Sequence, residues 1–253
     1  MGAILNLKEI KQLTEKDIIT DYEKLSERCD EFDLTKKNTE LQDIVVRMKQ
    51  IIRNSDNICG LSANQIGFNK RVICINFNGD IRTFVNPIIT SAKGLELSRE
   101  ICHSIPSKTF IRIRQNKISV TYQTPLAKVE SVELVGMAAH VMQHHIDHLD
   151  GILLSDIGFE IDEKWDKATD EERQEVIDYY IDSLDLKASE LNKEIAEDKD
   201  AKQLSNAIKF INSVREGTTK IEKLPLTDEE MAVLKEYQEE QKEKKDESTE
   251  CTN

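Results

Sequence analysis

The chain lacks any apolar run long enough to cross a membrane, and it is poor in several residue types that mark particular protein classes. Of its 253 residues only 5% are aromatic, and it has one tryptophan and four prolines. No stretch of about 18 apolar residues occurs, so no transmembrane helix is expected. A secretory apolar segment, an Arg-rich transit composition and a myristoylation signal are also absent from its start. We therefore expect no membrane partner.

Cysteine is scarce and positive charge is in deficit. The five cysteines form an odd, scattered set, so no disulfide framework is expected, and a cytoplasmic, reducing location is favoured. With 48 acidic residues against 35 Lys and Arg, the net charge is −13. That balance disfavours electrostatic binding of nucleic acid, so we expect no direct DNA partner. No phosphate loop, dinucleotide fingerprint or zinc-ribbon pattern is present.

The negative charge is confined to one end of the chain. Residues 1–155 carry 20 Lys and Arg against 19 Asp and Glu, whereas residues 156–253 carry 15 against 29. All five histidines lie in the near-neutral part. We therefore predict a first domain over residues 1–157 and an acidic, helical extension over residues 158–253 that becomes disordered toward its end.

Hydrophobic periodicity predicts helices near both ends of the first domain, with strands between them. Apolar residues at three- and four-residue spacing predict helices over 38–54 and 133–149, the second closed by Gly151. Short β-branched or alternating runs predict strands over 71–77, 81–85, 110–114 and 117–122, with a turn at Gln115-Asn116 between the last two. This order predicts the α+β class.

One helix is also predicted in the extension, over residues 169–186. Thr169 stands at its start and Glu172 follows three residues later, which is the spacing of a capping box.

The second predicted helix of the first domain carries a pair of histidines spaced by four. His144 and His148 would lie one turn apart on one face, where two imidazoles can bind one metal ion. Taken alone this spacing is weak, since solvated or core histidines show it by chance. Cys102, in a non-helical stretch upstream, could add a thiolate, although a lone cysteine is more often a small buried apolar residue. A Cys/His/His set would hold a divalent transition metal and leave one position open for water.

Three segments of the chain resemble the motifs of the peptide deformylase family. They read GLSANQ over 60–65, EICHS over 100–104 and QHHIDH over 143–148. The family patterns are G-x-G-[LI]-[AS]-A-x-Q, E-G-C-[LI]-S and Q-H-E-x-D-H, in the same order. The resemblance covers roughly residues 3–157. It implies a peptide-deformylase-like fold, with antiparallel or mixed sheets around a central metal-binding helix.

The resemblance implies a reaction and a metal. The reaction is hydrolytic removal of the formyl group from the N-terminal methionine of newly made polypeptides. Cys102, His144 and His148 match the family's metal ligands. Fe(II) is the metal that the resemblance implies, and Zn(II), Ni(II) or Co(II) could occupy the same donors. Formyl-methionyl N termini are the expected partners, with transient contact to the ribosome.

The resemblance also implies roles for residues around the metal. Gln65 matches the side chain, and His103 the backbone N–H, that stabilise the developing oxyanion. Gly60 would let the backbone approach an extended substrate closely. Glu100 and Arg114 match an ion pair that braces the cysteine-bearing segment. An ordinary surface salt bridge, contributing about 0–1 kcal/mol, is the alternative for that pair.

The chain departs from the family pattern at its expected catalytic base. His145 stands where the family has the glutamate that takes and returns a proton. An unperturbed imidazole pKa near 6.5 suits proton transfer at neutral pH, but an imidazole is less able than a carboxylate to bridge water and substrate. Ile58 and Ile101 also replace glycines of the pattern, and either side chain could crowd a substrate groove.

Three hypotheses therefore stay open at this point. The chain is a working deformylase with His145 in the role of the glutamate, a catalytically impaired relative that keeps its metal, or an interaction scaffold acting through its acidic tail. A zinc peptidase would need the same missing glutamate. We expect Cys59 and Cys74 to be core residues, and His140 to lie at the surface or behind the metal ligands.

Overall fold

The computed structural model describes residues 13–35, 39–55 and 57–197, the segment 185–197 by its backbone alone. The disorder predicted toward the end of the chain lies outside these residues.

The described chain forms two helices, five consecutive strands, two further helices, a sixth strand and two final helices. The helices are α1 (Tyr22–Leu25), α2 (Thr39–Arg53), α3 (Met137–Leu149), α4 (Leu154–Ile157), α5 (Lys164–Lys167) and α6 (Asp170–Glu197). The strands are β1 (Gly60–Ser62), β2 (Val72–Phe77), β3 (Asp80–Cys102), β4 (Ile105–Gln123), β5 (Val129–Val135) and β6 (Phe159–Ile161). Short 3₁₀ turns cover Glu15–Asp17 and Ala63–Ile66.

One antiparallel sheet organises the described residues around α3. Its strand order is β1-β2-β3-β4-β5, and β6 pairs with the first half of β4. The helix α3 contacts β1, β2, β4 and β5. The predicted α+β fold, with strands around a central helix, is confirmed.

Two buried clusters hold the helices to the sheet. The first packs the apolar face of α2 against β1 and β2, and the second packs α3 against β2, β4 and β5. The α2 residues that are buried are those that the three- and four-residue spacing places on one face: Leu41, Ile44, Met48, Ile51 and Ile52. The helix predicted over 38–54 is confirmed. It could be predicted from the sequence because the spacing follows from helix geometry and does not depend on what the helix packs against.

The turn predicted at Gln115-Asn116 is wrong, because both residues lie inside β4. The chain turns instead after Cys102, at the end of β3. Neighbouring elements bind the Gln115 backbone and the Asn116 side chain. Gln143 on α3 accepts from the Gln115 N–H at 3.0 Å, and the Gly136 N–H donates to Asn116 Oδ1 at 2.9 Å. Two consecutive polar residues therefore suggested a turn, although they lie within a strand and bind neighbouring elements.

The start predicted for the second helix is also wrong. Residues 133–135 belong to β5, and α3 begins only at Met137. Leu134 is buried, which fits the alternation of a strand as well as the stripe of a helix. The partner across the sheet decides between the two, since Lys117 on β4 forms a 2.7 Å ion pair with Glu133. The strand predicted over 81–85 likewise continues as far as Cys102.

The extension begins within the sheet. Phe159–Ile161, on the extension side of the predicted boundary, pair with Thr109–Ile111 of β4. The predicted capping box at the start of α6 is present: the Glu172 N–H donates to Thr169 Oγ1 at 3.2 Å, and the Thr169 N–H donates to the Glu172 carboxylate at 2.7 Å. Among the described residues, no helix combines the length and apolarity needed to cross a bilayer.

We expect Gly151→Ala to destabilise the fold more than Gly79→Ala. Both glycines have positive φ, at 73° and 94°, so each substitution should cost about 1–2 kcal/mol of backbone strain. A Cβ on Gly151 would also lie 2.3 Å from the carbonyl oxygen of Ser26, whereas a Cβ on Gly79 would meet nothing within 4 Å. This overlap should add about 1–3 kcal/mol. Urea unfolding of both variants measures the difference, and equal losses would contradict the prediction.

Candidate metal centre

The structure brings Cys102, His144 and His148 together. The cysteine ends β3, and the two histidines lie one turn apart on α3. One ligand atom from each lies within 4.8 Å of the others, and no other such group of three occurs in the part of the chain that the structure describes. Cys102 Sγ is 3.2 Å from His148 Nε2. The helical spacing therefore placed the imidazoles correctly, and the sheet supplies the thiol.

The three side chains favour a thiolate at their centre. Burial raises the pKa of Cys102, but the nearby imidazoles of His148 and His144 outweigh it and hold that pKa well below its usual range. Burial lowers the pKa of His144, but hydrogen bonds to Cys102 and Glu100 raise it to about 9. A deprotonated sulfur beside two imidazoles is the donor set that a divalent transition metal binds. The residues present therefore fit the metal that the motifs imply.

A buried ion pair orients His144. Arg114 holds Glu100 through two hydrogen bonds of 2.6 and 2.8 Å, and both side chains are almost wholly buried. Burial raises the pKa of Glu100, but Arg114 and His144 hold it well below its usual range. The carboxylate lies 3.0 Å from His144 Nδ1, so His144 Nε2 is left for the metal. The surface salt bridge that we considered as the alternative is excluded by this burial.

Asp147 and Arg112 complete this network and were missed in the sequence. Asp147 accepts from Arg114 and lies 3.0 Å from Arg112 Nη1. A signal was available: Arg112 and Arg114 are two apart on a strand, so they share a face, and two buried cations require more than one carboxylate. Asp147, one turn after His144 on α3, is placed to supply the second.

His145 lies in the wall of a cavity of about 230 Å³ beside the cluster. Its Nε2 would be 2.6 Å from a Cβ on Gly60, so only glycine at that position leaves room for the imidazole. Within the described structure, His145 Nδ1 is buried without a hydrogen-bond partner. Burial, followed by the neighbouring His144 and His148, holds the pKa of His145 well below its usual range. Gly60 therefore makes space for His145, a contact that its predicted role toward substrate did not include.

Gln65 faces the cluster from the short turn after β1. Its Nε2 donates to Ser104 Oγ at 3.1 Å and lies 4.0 Å from Cys102 Sγ. Its Oε1 accepts from the Ser62 N–H at 3.0 Å, which fixes the amide with its nitrogen toward the cavity. Ser104 was missed in the sequence as a contact of Gln65. His103 follows Cys102 in the turn between β3 and β4 and lines the same cavity.

Four other residues near the cavity differ in their placement. Cys59 is exposed and lines the cavity, so its prediction as a core residue is wrong, because β1 turns its neighbours Ile58 and Gly60 inward instead. Ile101 is 60% exposed at the cavity mouth. His140 is buried and lines the same cavity, with Nε2 3.5 Å from the Glu96 carboxylate, and is not part of the three-residue group.

Comparison with known proteins agrees with this geometry. The sequence profile of the family described as polypeptide deformylase matches residues 15–162. A peptide deformylase of Treponema pallidum (strain Nichols) is 36% identical over 157 residues, which cover 62% of this chain and 89% of that protein. A peptide deformylase of Thermodesulfovibrio yellowstonii is 36% identical over 124 residues, which cover 47% of this chain and 74% of that protein.

Solved structures point to the same family. A peptide deformylase from Synechococcus elongatus, determined in complex with actinonin, has a TM-score of 0.51 and 26% identity, covering 55% of this chain and 77% of that one. The profile match spans more than half of the 253 residues and includes all three motifs. The chain therefore belongs to the polypeptide deformylase family.

Proposed function

We propose that this chain removes the N-formyl group from the N-terminal methionine of new polypeptides, with His145 as the residue that transfers protons. Family membership and the Cys/His/His group support a metal-dependent hydrolysis. The observation that carries the proposal is the position of His145 in the cavity wall, directly after the ligand His144. The imidazole of His145, a side chain that can bind and release a proton, thus stands at the position where the family has its glutamate.

Cys102, His144 and His148 would hold one divalent cation. A bound cation would supply Lewis acidity and lower the pKa of a water molecule at the open position. We propose Fe(II) as the native metal. Zn(II), Ni(II) and Co(II) suit the same mixed set of sulfur and nitrogen donors, so metal supply contributes to the choice.

Two donors would stabilise the oxyanion that forms when water adds to the formyl carbon. Gln65 presents its side-chain N–H groups, since its oxygen is held by the Ser62 N–H. We assign the second donor to the backbone N–H of His103, the residue after Cys102. Donors that are fixed before the reaction need no reorganisation as the negative charge develops.

His145 would accept a proton from the attacking water at Nε2, the ring atom that lies against Gly60 in the cavity wall. Its burial holds the imidazole in the neutral form, which has a lone pair to accept that proton, and the same depressed pKa makes it a weaker base than a free imidazole. The carbon–nitrogen bond then breaks, and the same atom returns the proton to the departing amine. The products are formate and a polypeptide whose N-terminal methionine has a free amino group.

We place this reaction in the cytoplasm, close to the ribosome. Formylated N termini emerge from the ribosome, and the four cysteines of the described residues form no disulfide. Residues 156–253 carry 29 acidic against 15 basic residues, so ribosomal RNA should repel them rather than bind them.

Hydrolysis of formyl-Met-Ala-Ser by the Fe(II)-loaded protein tests the proposed role of His145. We expect turnover by the parent, and a fall in kcat/KM of about 10²–10⁴-fold in His145→Ala, because proton transfer is lost. His145→Glu should restore most of this loss. Cys102→Ala, which lacks a metal ligand, sets the background rate. Circular dichroism with metal analysis shows that the parent and each His145 variant are folded and loaded.

A parent rate no higher than that of Cys102→Ala would contradict this function. If His145→Glu then gained activity, the chain would be a catalytically impaired relative that retains its metal.

We expect Glu100→Gln to weaken metal binding by about 10–100-fold. The amide carries no charge to orient His144 or to balance Arg114, so the imidazole is held less firmly. Glu160→Gln is the matched control, since Glu160 also pairs with a cation, Lys108, but is about half exposed. Competition with a chromogenic chelator measures both dissociation constants, and equal values for the two variants would contradict the prediction.

A further inference from the structure

We propose that Tyr180, on the extension helix α6, is a positioning residue for the metal centre. The inference rests on the proposed function in taking Cys102, His144 and His148 as metal ligands. Tyr180 lies beyond residues 15–162, which match the family, yet its side chain is only 1% exposed. Its neighbour Tyr179 is 65% exposed on the same helix.

Tyr180 fills a gap along one side of β4. On this side β6 pairs with residues 109–111, and β5 begins its pairing at Lys117. Backbone groups of alternate residues point to the same side of a strand, so Ile113 and Gln115 direct theirs into the gap. Gln143 pairs with the backbone of Gln115. The Tyr180 hydroxyl lies within electrostatic reach of the Ile113 N–H.

Ile113 separates the two arginines of the buried network. Arg112 and Arg114 are both nearly inaccessible, and both bind Asp147 of α3. Arg114 also holds Glu100, which orients the ligand His144. A displacement of the β4 backbone at Ile113 would therefore move both guanidinium groups relative to α3.

Tyr180 also reaches the cysteine side of the centre. Its hydroxyl donates to the Ile157 carbonyl at 2.8 Å, at the last residue of α4. Leu154, at the first residue of α4, packs in one buried cluster with Phe110 and Cys102. One hydroxyl thus binds the short helix that packs against Cys102 and lies beside the strand that carries Arg112 and Arg114.

Removing this hydroxyl should disturb the metal ligands rather than only the extension. In Tyr180→Phe the ring still fills its place, but the Ile157 carbonyl loses its hydrogen-bond donor and the Ile113 N–H loses a polar neighbour. Buried backbone groups seldom stay unpaired, so the two segments would move to find new partners. The ligands carried by these segments would then shift with them.

Co(II) titration of the full chain tests this inference, with Tyr179→Phe as the matched control. Co(II) reports ligand geometry through its visible absorption bands as well as through its affinity. We expect Tyr180→Phe to weaken Co(II) binding about tenfold, at the lower end of the range for groups that orient ligands. We also expect its absorption bands to shift. Tyr179→Phe should match the parent in both measurements.

Ile44→Val separates positioning from a general loss of stability. Ile44 is fully buried in the α2 cluster, away from the network, so this variant should lower Tm without changing the Co(II) spectrum. The inference is overturned if Tyr180→Phe matches Tyr179→Phe, or if Ile44→Val reproduces the changes in affinity and spectrum. A parent that binds no Co(II) would overturn the proposed metal centre itself, and this inference with it.

Discussion

The buried carboxylate of Glu100 constrains the arrangement of the rest of the site. It meets the Arg114 guanidinium through two hydrogen bonds and the His144 ring through a third contact. An unpaired charge at this depth would be strongly destabilising, so β3, β4 and α3 must meet where these groups meet. Asp147 and Arg112 extend the network, giving two carboxylates to two guanidinium groups. The metal ligands thus rest on a balanced set of buried charges.

The same constraint gives His145 its environment. Because His144 is fixed by Glu100, the next residue of α3 is directed toward β1 and meets Gly60 at the cavity wall. A buried imidazole surrounded by two other imidazoles is held in its uncharged form, because adding a proton there is unfavourable. Gly60 is therefore required by the helix on one side of the cavity.

The acidic extension is joined to the domain at its beginning. β6 completes the sheet beside β4, and Tyr180 of α6 is buried and donates to the Ile157 carbonyl. The charge composition that separates residues 156–253 from the first part of the chain does not mark a break in packing at its start. A segment can be strongly acidic on its exposed face and still supply core side chains, since only its buried stripe contacts the domain.

Local pattern determined what depends on neighbours in sequence. The periodicity of α2, the capping box at Thr169 and the common face of His144 and His148 follow from helical geometry alone. Motif order also indicated the family and the α+β class. Tertiary structure decided what depends on partners distant in the chain. It decided that Gln115 pairs with Gln143 and does not form a turn, and that residue 134 lies in a strand and not in a helix. It also decided that Asp147 forms ion pairs with two arginines. The physical reason is that burial and charge compensation depend on contacts between residues distant in sequence. Those contacts exist only in the folded chain, so the local sequence does not specify them.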